Sequence, residues 1–242
     1  MKSRIVLIIL AALLAGAGLS QAQEAEAAAP QLLLNDAVAQ LQSAESFRLA
    51  IEQRGQPYQL SLSFDGVNML RATLEGADAQ AISPDELYIS ARLRLIIPLT
   101  MDIYARADRQ WLSFPGGAPW IALPAFEGFD VSRLLAPGDG IEKVMTDLRE
   151  PTIAAAALVD EQPAWHIKAT AAGDAVAGLL FGFIDPIDDV EIDAYLTVED
   201  GRLALIEILM LETARDPEAA PSVWRIRFYD YDAPRGFNPP AA

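Results

Sequence analysis

LYISARLRLIIPLTMDIYARADRQWLSF, residues Leu87 to Phe114, decides the fold. Leu87, Ile89, Ala91, Leu93, Leu95, Ile97, Leu99, Met101 and Ile103 are all apolar and take alternate positions. Ser90, Arg92, Arg94, Thr100, Asp102 and Arg106 fall between them. Neighbouring strand residues point to opposite faces, so this alternation predicts a sheet with one apolar and one solvated face. A helix would carry Arg92 and Arg94 into the core. The run outlasts an ordinary strand, and Pro98 lacks the N–H that a sheet ladder needs. A turn or bulge is therefore predicted near Pro98.

Toward the N-terminus, Leu34, Ala37, Val38 and Leu41 share one face of a predicted helix that ends at Ser43 to Ser46. The period then shortens to two at Phe47, Leu49 and Ile51, and Gly55 and Pro57 break that strand. Leu60, Leu62 and Phe64 form the next strand, and Asp65-Gly66 is a turn signal. Val67 to Ile82 is strand-like, with Leu70, Ala72 and Leu74 on one side.

Toward the C-terminus, a Pro- and Gly-rich loop carries Trp120 and Phe126, aromatics that flexible linkers lack. Val131 to Leu135 reads as one short helical turn. Pro137 to Arg149 reads as a helix with the stripe Ile141, Val144, Met145 and Leu148. Strands are predicted at Ile153 to Val159 and Trp165 to Thr170. A third helix is predicted from an Asp174 N-cap, with Val176, Leu179, Leu180 and Phe183 on its apolar face. Ile192, Ala194, Leu196 and Val198 open a hairpin that turns at Asp200-Gly201, and Trp224, Ile226 and Phe228 mark a last strand. With no repeat and no interdomain linker, the reading is one α+β domain, residues 31–233. It has nine to eleven strands in a curved antiparallel sheet, with three amphipathic helices over one face. Residues 23–30 read as a flexible leader and 234–242 as a Pro-rich tail.

The first 22 residues read as a secretory signal: Lys2 and Arg4, then an apolar run from Ile5 to Leu14, then small residues near Ala22. An uncleaved N-terminal anchor is the alternative. Cleavage removes two cations and no acid, moving the net charge from -16 to -18. Such acidity argues against nucleic acid and against a polybasic grip on anionic lipid. The chain contains no cysteine, which excludes disulfides, thiolate chemistry and lipid attachment through cysteine.

Nothing in the pattern specifies a reaction. His166, the only imidazole, has no G-x-S-x-G nucleophile motif to serve and reads as a structural histidine. The acids Asp185, Asp188, Asp189, Glu191 and Asp193 lack the ligand spacing and glycine of a calcium loop. Many acidic pairs exist, but no spacing marks one for glycoside hydrolysis. Gly116-Gly117 has no following lysine, so no phosphate-cradling motif and no cofactor is expected. Met69, Met101, Met145 and Met210 lie within apolar patterns, suiting either core filling or an adaptable hydrocarbon pocket.

Several segments carry a resemblance: SAESF after the first helix, MDIYARADRQWLSF (Met101 to Phe114), and FDVSRLLAPGDGIEKVM (Phe129 to Met145). The hairpin VEDGRLA (Val198 to Ala204) and the final strand followed by Tyr-Asp and prolines add to it. Over Leu33 to Pro239 the chain resembles the LppX/LprG family of cell-envelope lipid-binding lipoproteins, whose fold is similar to LolA-type carriers. The resemblance implies a half-barrel sheet closed by helices around an apolar cavity for acyl chains of lipids or glycolipids. It implies transport rather than catalysis, with a transient membrane or envelope-transporter partner. The missing cysteine departs from the family's lipidated N-terminus, so the expectation is a secreted or cell-envelope monomer without that lipid. Expected cavity residues are Leu93, Leu95, Met101 and Ile103 from the sheet, and Ile141, Val144, Met145, Leu148, Leu180 and Phe183 from the helices. The competing expectation is an extracytoplasmic interaction module with a filled core and an acidic docking face.

Overall fold

The computed structural model describes residues 29–62, 70–114, 116, 118–123, 130–180, 184, 186–214 and 219–240. The secretory signal, most of the leader, the Asp65-Gly66 turn, Met69, Phe126, Phe183 and Asp185 lie outside these residues.

Helix α1 spans 29–43. The strands follow in order: β1 (Ser46–Arg54), β2 (Gln59–Leu62), β3 (Leu70–Ile82), β4 (Glu86–Arg94), β5 (Pro98–Arg106), β6 (Arg109–Ser113) and β7 (Ile121–Leu123). A 3-10 turn at Val131–Leu134 leads to α2 (Gly140–Thr146), and then to β8 (Arg149–Ile153), β9 (Ala157–Val159) and β10 (Gln162–Ala171). Helix α3 (Gly173–Val176) runs into a 3-10 turn at Ala177–Leu180. The chain closes with β11 (Val190–Thr197), β12 (Leu203–Met210) and β13 (Ser222–Tyr229).

The sheet has thirteen strands in the order β7-β6-β5-β4-β3-β1-β13-β12-β11-β10-β8, with β2 added to β3 and β9 to β10. It is antiparallel and unclosed. The decisive stretch becomes β4 and β5, paired from Glu86↔Arg106 to Arg94↔Pro98. Leu87, Ile89, Ala91, Leu93, Met101 and Ile103 are buried on its inner face, as the alternation predicts. Arg92 pairs with Asp78 at 2.7 Å on the outer face, where solvent keeps such a pair weak.

The pairing register defines two ends. Ser46, Ile82 and Glu86 share one end. Arg54 pairs with Val223, Met210 with Ser222 and Arg94 with Pro98 at the other. Helices and 3-10 turns join the sheet's inner residues in a single apolar cluster that includes Leu41, Leu49, Val144, Leu180, Ile206 and Trp224. Each fully buried Leu, Ile or Met there contributes about 1.5–3 kcal/mol.

Two expectations are corrected. Among the described residues the strands number thirteen, because the stretch read as one strand from Ile153 to Val159 divides into β8 and β9, and the three-residue β7 lies in the segment read as loop. Helix α3 is capped by Ala172 rather than Asp174, and it continues as a 3-10 turn. The Pro-rich tail from Pro234 packs back on β3 and β4. The Gln80 side chain donates to the Pro234 carbonyl at 3.0 Å and accepts from the Gly236 N–H at 2.8 Å. Phe237 stacks on Tyr88, with ring centroids 4.8 Å apart.

Candidate functional site

Where α1 ends and β1 begins, a pocket of about 400 Å³ opens between the helices and the sheet. Val38, Leu41 and Gln42 enter it from α1, Phe47 from β1, and Ala81 from β3. Ser83 and Pro84 come from the β3–β4 turn. The corner Leu134, Leu135, Ala136 and Pro137 and the α2 residues Ile141 and Glu142 complete the wall. The volume falls within the range of about 300–1,000 Å³ typical of small-molecule pockets. A larger recess of about 710 Å³ lies beyond the same rim, around Ser43, Glu45, Asp232 and Arg235. Its wall mixes Ala44, Ile82, Ala233 and Pro234 with charged and polar side chains, whereas the smaller pocket is mainly apolar and is the better candidate for hydrocarbon.

The corner wall is held by short-range polar chemistry. Asp130 caps the 3-10 turn by accepting from the Ser132 N–H at 3.0 Å. Arg133 donates through Nε to Asp139 at 2.7 Å, and Asp139 also accepts from the Gly140 N–H at 2.8 Å, capping α2. Burial works against the Asp139 carboxylate, but the Arg133 guanidinium and the Gly140 N–H outweigh it and hold its pKa below the usual range. Gly140 has φ +50, and a Cβ there would strike the Leu134 carbonyl. Gly178 brings the second 3-10 turn onto this corner, where a Cβ would meet an Asp139 oxygen at 2.7 Å. At the lip, Gln42 donates to Glu142 at 2.8 Å, linking α1 to α2.

Of the expected cavity residues, Ile141 lines the pocket. Leu93, Met101, Ile103, Val144, Met145, Leu148 and Leu180 are buried in the apolar cluster that also holds the pocket residues Val38, Leu41, Phe47 and Leu134. Leu95 is partly buried against that cluster, and Phe183 lies outside the described residues. The sequence reading placed Phe47 on a strand and Leu134 and Leu135 in a short helical turn, but assigned none of these, nor Ala81, to the cavity. Val38 and Leu41 were visible as a helix stripe, but nothing local marked the corner as a wall.

The remaining candidates are partnered. His166 sits on the outer face, with Nε2 2.6 Å from Asp193 and its ring stacked on Tyr195. Among the described residues no group of three or more His, Asp or Glu is arranged to hold a metal ion, and no helix is long and apolar enough to cross a membrane.

The LppX_LprAFG lipoprotein family model matches residues 29–234, most of the chain. The chain belongs to this family. LprF from Mycobacterium bovis superimposes with a TM-score of 0.64 at 14% identity, covering 88% of this chain and 97% of LprF. LppX from Mycobacterium tuberculosis gives 0.57 at 11% identity, covering 87% and 98%. At these identities the likeness establishes a shared fold. No curated protein matches the chain. This member of the LppX_LprAFG family combines an unclosed sheet with a chain free of cysteine.

Proposed function

We propose that this LppX_LprAFG protein is an extracytoplasmic carrier, not an enzyme, that takes an acyl chain of a lipid or glycolipid between its helices and sheet. The observation that carries this reading is the pocket lined by Val38, Leu41, Phe47, Leu134, Leu135 and Ile141. Burying hydrocarbon is worth about 0.8 kcal/mol per methylene and needs no directional partner, so a chain-binding site requires no polar motif. The buried residues Val144, Met145, Met101 and Ile103 belong to the same apolar cluster as that wall and extend the site when longer chains push inward. Flexible thioethers suit that adaptation. The carrier works as a secreted or envelope monomer that meets a membrane or transporter transiently, without a cysteine-linked lipid.

Leu135→Trp tests the reading. Leu135 is only partly buried, so an indole there fills the pocket without forcing apart the core. A folded variant that takes up a pyrene-labelled fatty acid several-fold more weakly than the wild type supports the proposal. Undiminished uptake contradicts it.

A further inference from the structure

The β4–β5 turn breaks the rule that aliphatic side chains seek cover. Ile96 is 101% exposed and Ile97 69% exposed, while Leu95 beside them leans on the core. From Leu95 to Leu99 the chain carries no charge. At the root, Arg92 is paired with Asp78 and Arg94 with Glu75, and the exposed Arg71 stands beside them on β3. The same end of the sheet, by register, presents Ile187 just before β11 and Leu211 just after β12, at 93% and 50% exposure.

We propose that this tip dips into the surface of a zwitterionic lipid bilayer. The feature is convex, and two adjacent aliphatic side chains supply only a small part of the roughly 800 Å² per partner that a stable protein interface uses. A fluid acyl boundary accepts a small apolar wedge without a complementary pocket, as it does for interfacial helices. Acids select the lipid class. Asp188 and Glu212 flank Ile187 and Leu211, with Glu212 accepting from the Ile187 and Asp188 N–H groups, so anionic headgroups are repelled. The chain has no cysteine for a lipid anchor, and the wedge supplies a weak, reversible contact instead. The pocket lies at the opposite end of β4, near Ser83 and Pro84, so docking leaves its mouth facing away from the bilayer. This inference stands on the exposed tip and does not rest on the carrier reading.

The absence of cysteine makes single-site labelling direct. Ile96→Cys carrying a bimane dye is mixed, in the full chain, with phosphatidylcholine vesicles containing a doxyl quencher on the acyl chain. Glu199→Cys, in the exposed β11–β12 turn at the pocket end, is the control. The expected result is a blue shift and quenching at position 96 and neither at 199. The double variant Ile96→Ser, Ile97→Ser is expected to lower partitioning into these vesicles about tenfold. Unchanged partitioning of the double variant overturns the proposal, as does equal quenching at both sites or preferential binding to anionic vesicles. A blue shift that grows with protein concentration before vesicles are added also overturns it and assigns the tip to a second copy.

Discussion

Arg133 grips Asp139 with two hydrogen bonds, 2.7 Å from Nε and 3.3 Å from a terminal guanidinium nitrogen. The grip locks the corner that separates the 3-10 turn from α2, and that corner is a wall of the pocket. Both side chains remain partly solvated, so Arg133→Ala is expected to cost about 1 kcal/mol rather than the full value of a buried charged pair. Urea denaturation of the variant measures it, and an unchanged midpoint removes the corner's structural role.

The same pair makes the corner sensitive to acid. The folded-state pKa of Asp139 is depressed, so its contribution is present above the unfolded value of about 3.9 and is lost as pH falls through the folded value. Asp139→Asn removes that contribution at neutral pH and flattens the acid limb of a stability-versus-pH curve. A variant with the wild-type acid limb contradicts this assignment.

Gly140→Ala is expected to destabilise by about 1–3 kcal/mol, because the position combines φ +50 with the Arg133 and Leu134 carbonyl oxygens where a Cβ would stand. Gly138 also has positive φ but faces open space, so Gly138→Ala carries only the conformational penalty. Paired thermal melts should rank Gly140→Ala well below Gly138→Ala; the reverse order is incompatible with the close approach.

Burial pushes the Tyr88 and Tyr195 phenols up to about 12, with Asp102 adding to the effect at Tyr88, and Glu207 and Asp193 at Tyr195. Because these folded values are raised, the stability they contribute is intact below the ordinary phenol value of about 10 and erodes between there and about 12. An ultraviolet titration should show a late-ionising fraction. Glu207→Gln should move one tyrosine of that fraction downward, and no movement would separate Tyr195 from Glu207.

The alternation from Leu87 to Ile103 was a reliable guide, because a strand buried on one face must repeat every second residue. The turn predicted near Pro98 falls at residues 95–97, between β4 and β5. Ile97 continues the apolar series, yet the strand ends at Arg94 and Ile97 stands at the tip, 69% exposed. Periodicity records composition and cannot tell a buried isoleucine from one held outside for another purpose. The stripe Ile141, Val144 and Met145 was also legible, although α2 begins only at Gly140, where the Asp139 cap starts it. The pocket was not legible. Its wall joins Leu41, Ala81 and Leu134, which are distant in sequence and whose meeting depends on the Arg133–Asp139 corner and the β3–β4 turn. The stacking of Phe237 on Tyr88 likewise depends on a tail whose prolines read as loop.

Steric tests separate pocket from core. Val144 and Met145 are fully buried, so Val144→Trp or Met145→Trp should overpack the interior and lower stability by about 1–3 kcal/mol, together with any loss of binding. Leu135→Trp should lower lipid uptake with little loss of stability. Equal destabilisation by all three would mean that Leu135 belongs to the packed core.

The most direct test of the carrier reading is native mass spectrometry of the protein purified gently from its own host, followed by organic extraction. The account predicts a stoichiometric excess mass that extracts as acyl lipid and is diminished in Leu135→Trp. A bare protein mass, together with no uptake of added lipid by the folded protein, would contradict it and leave a filled-core interaction module in its place.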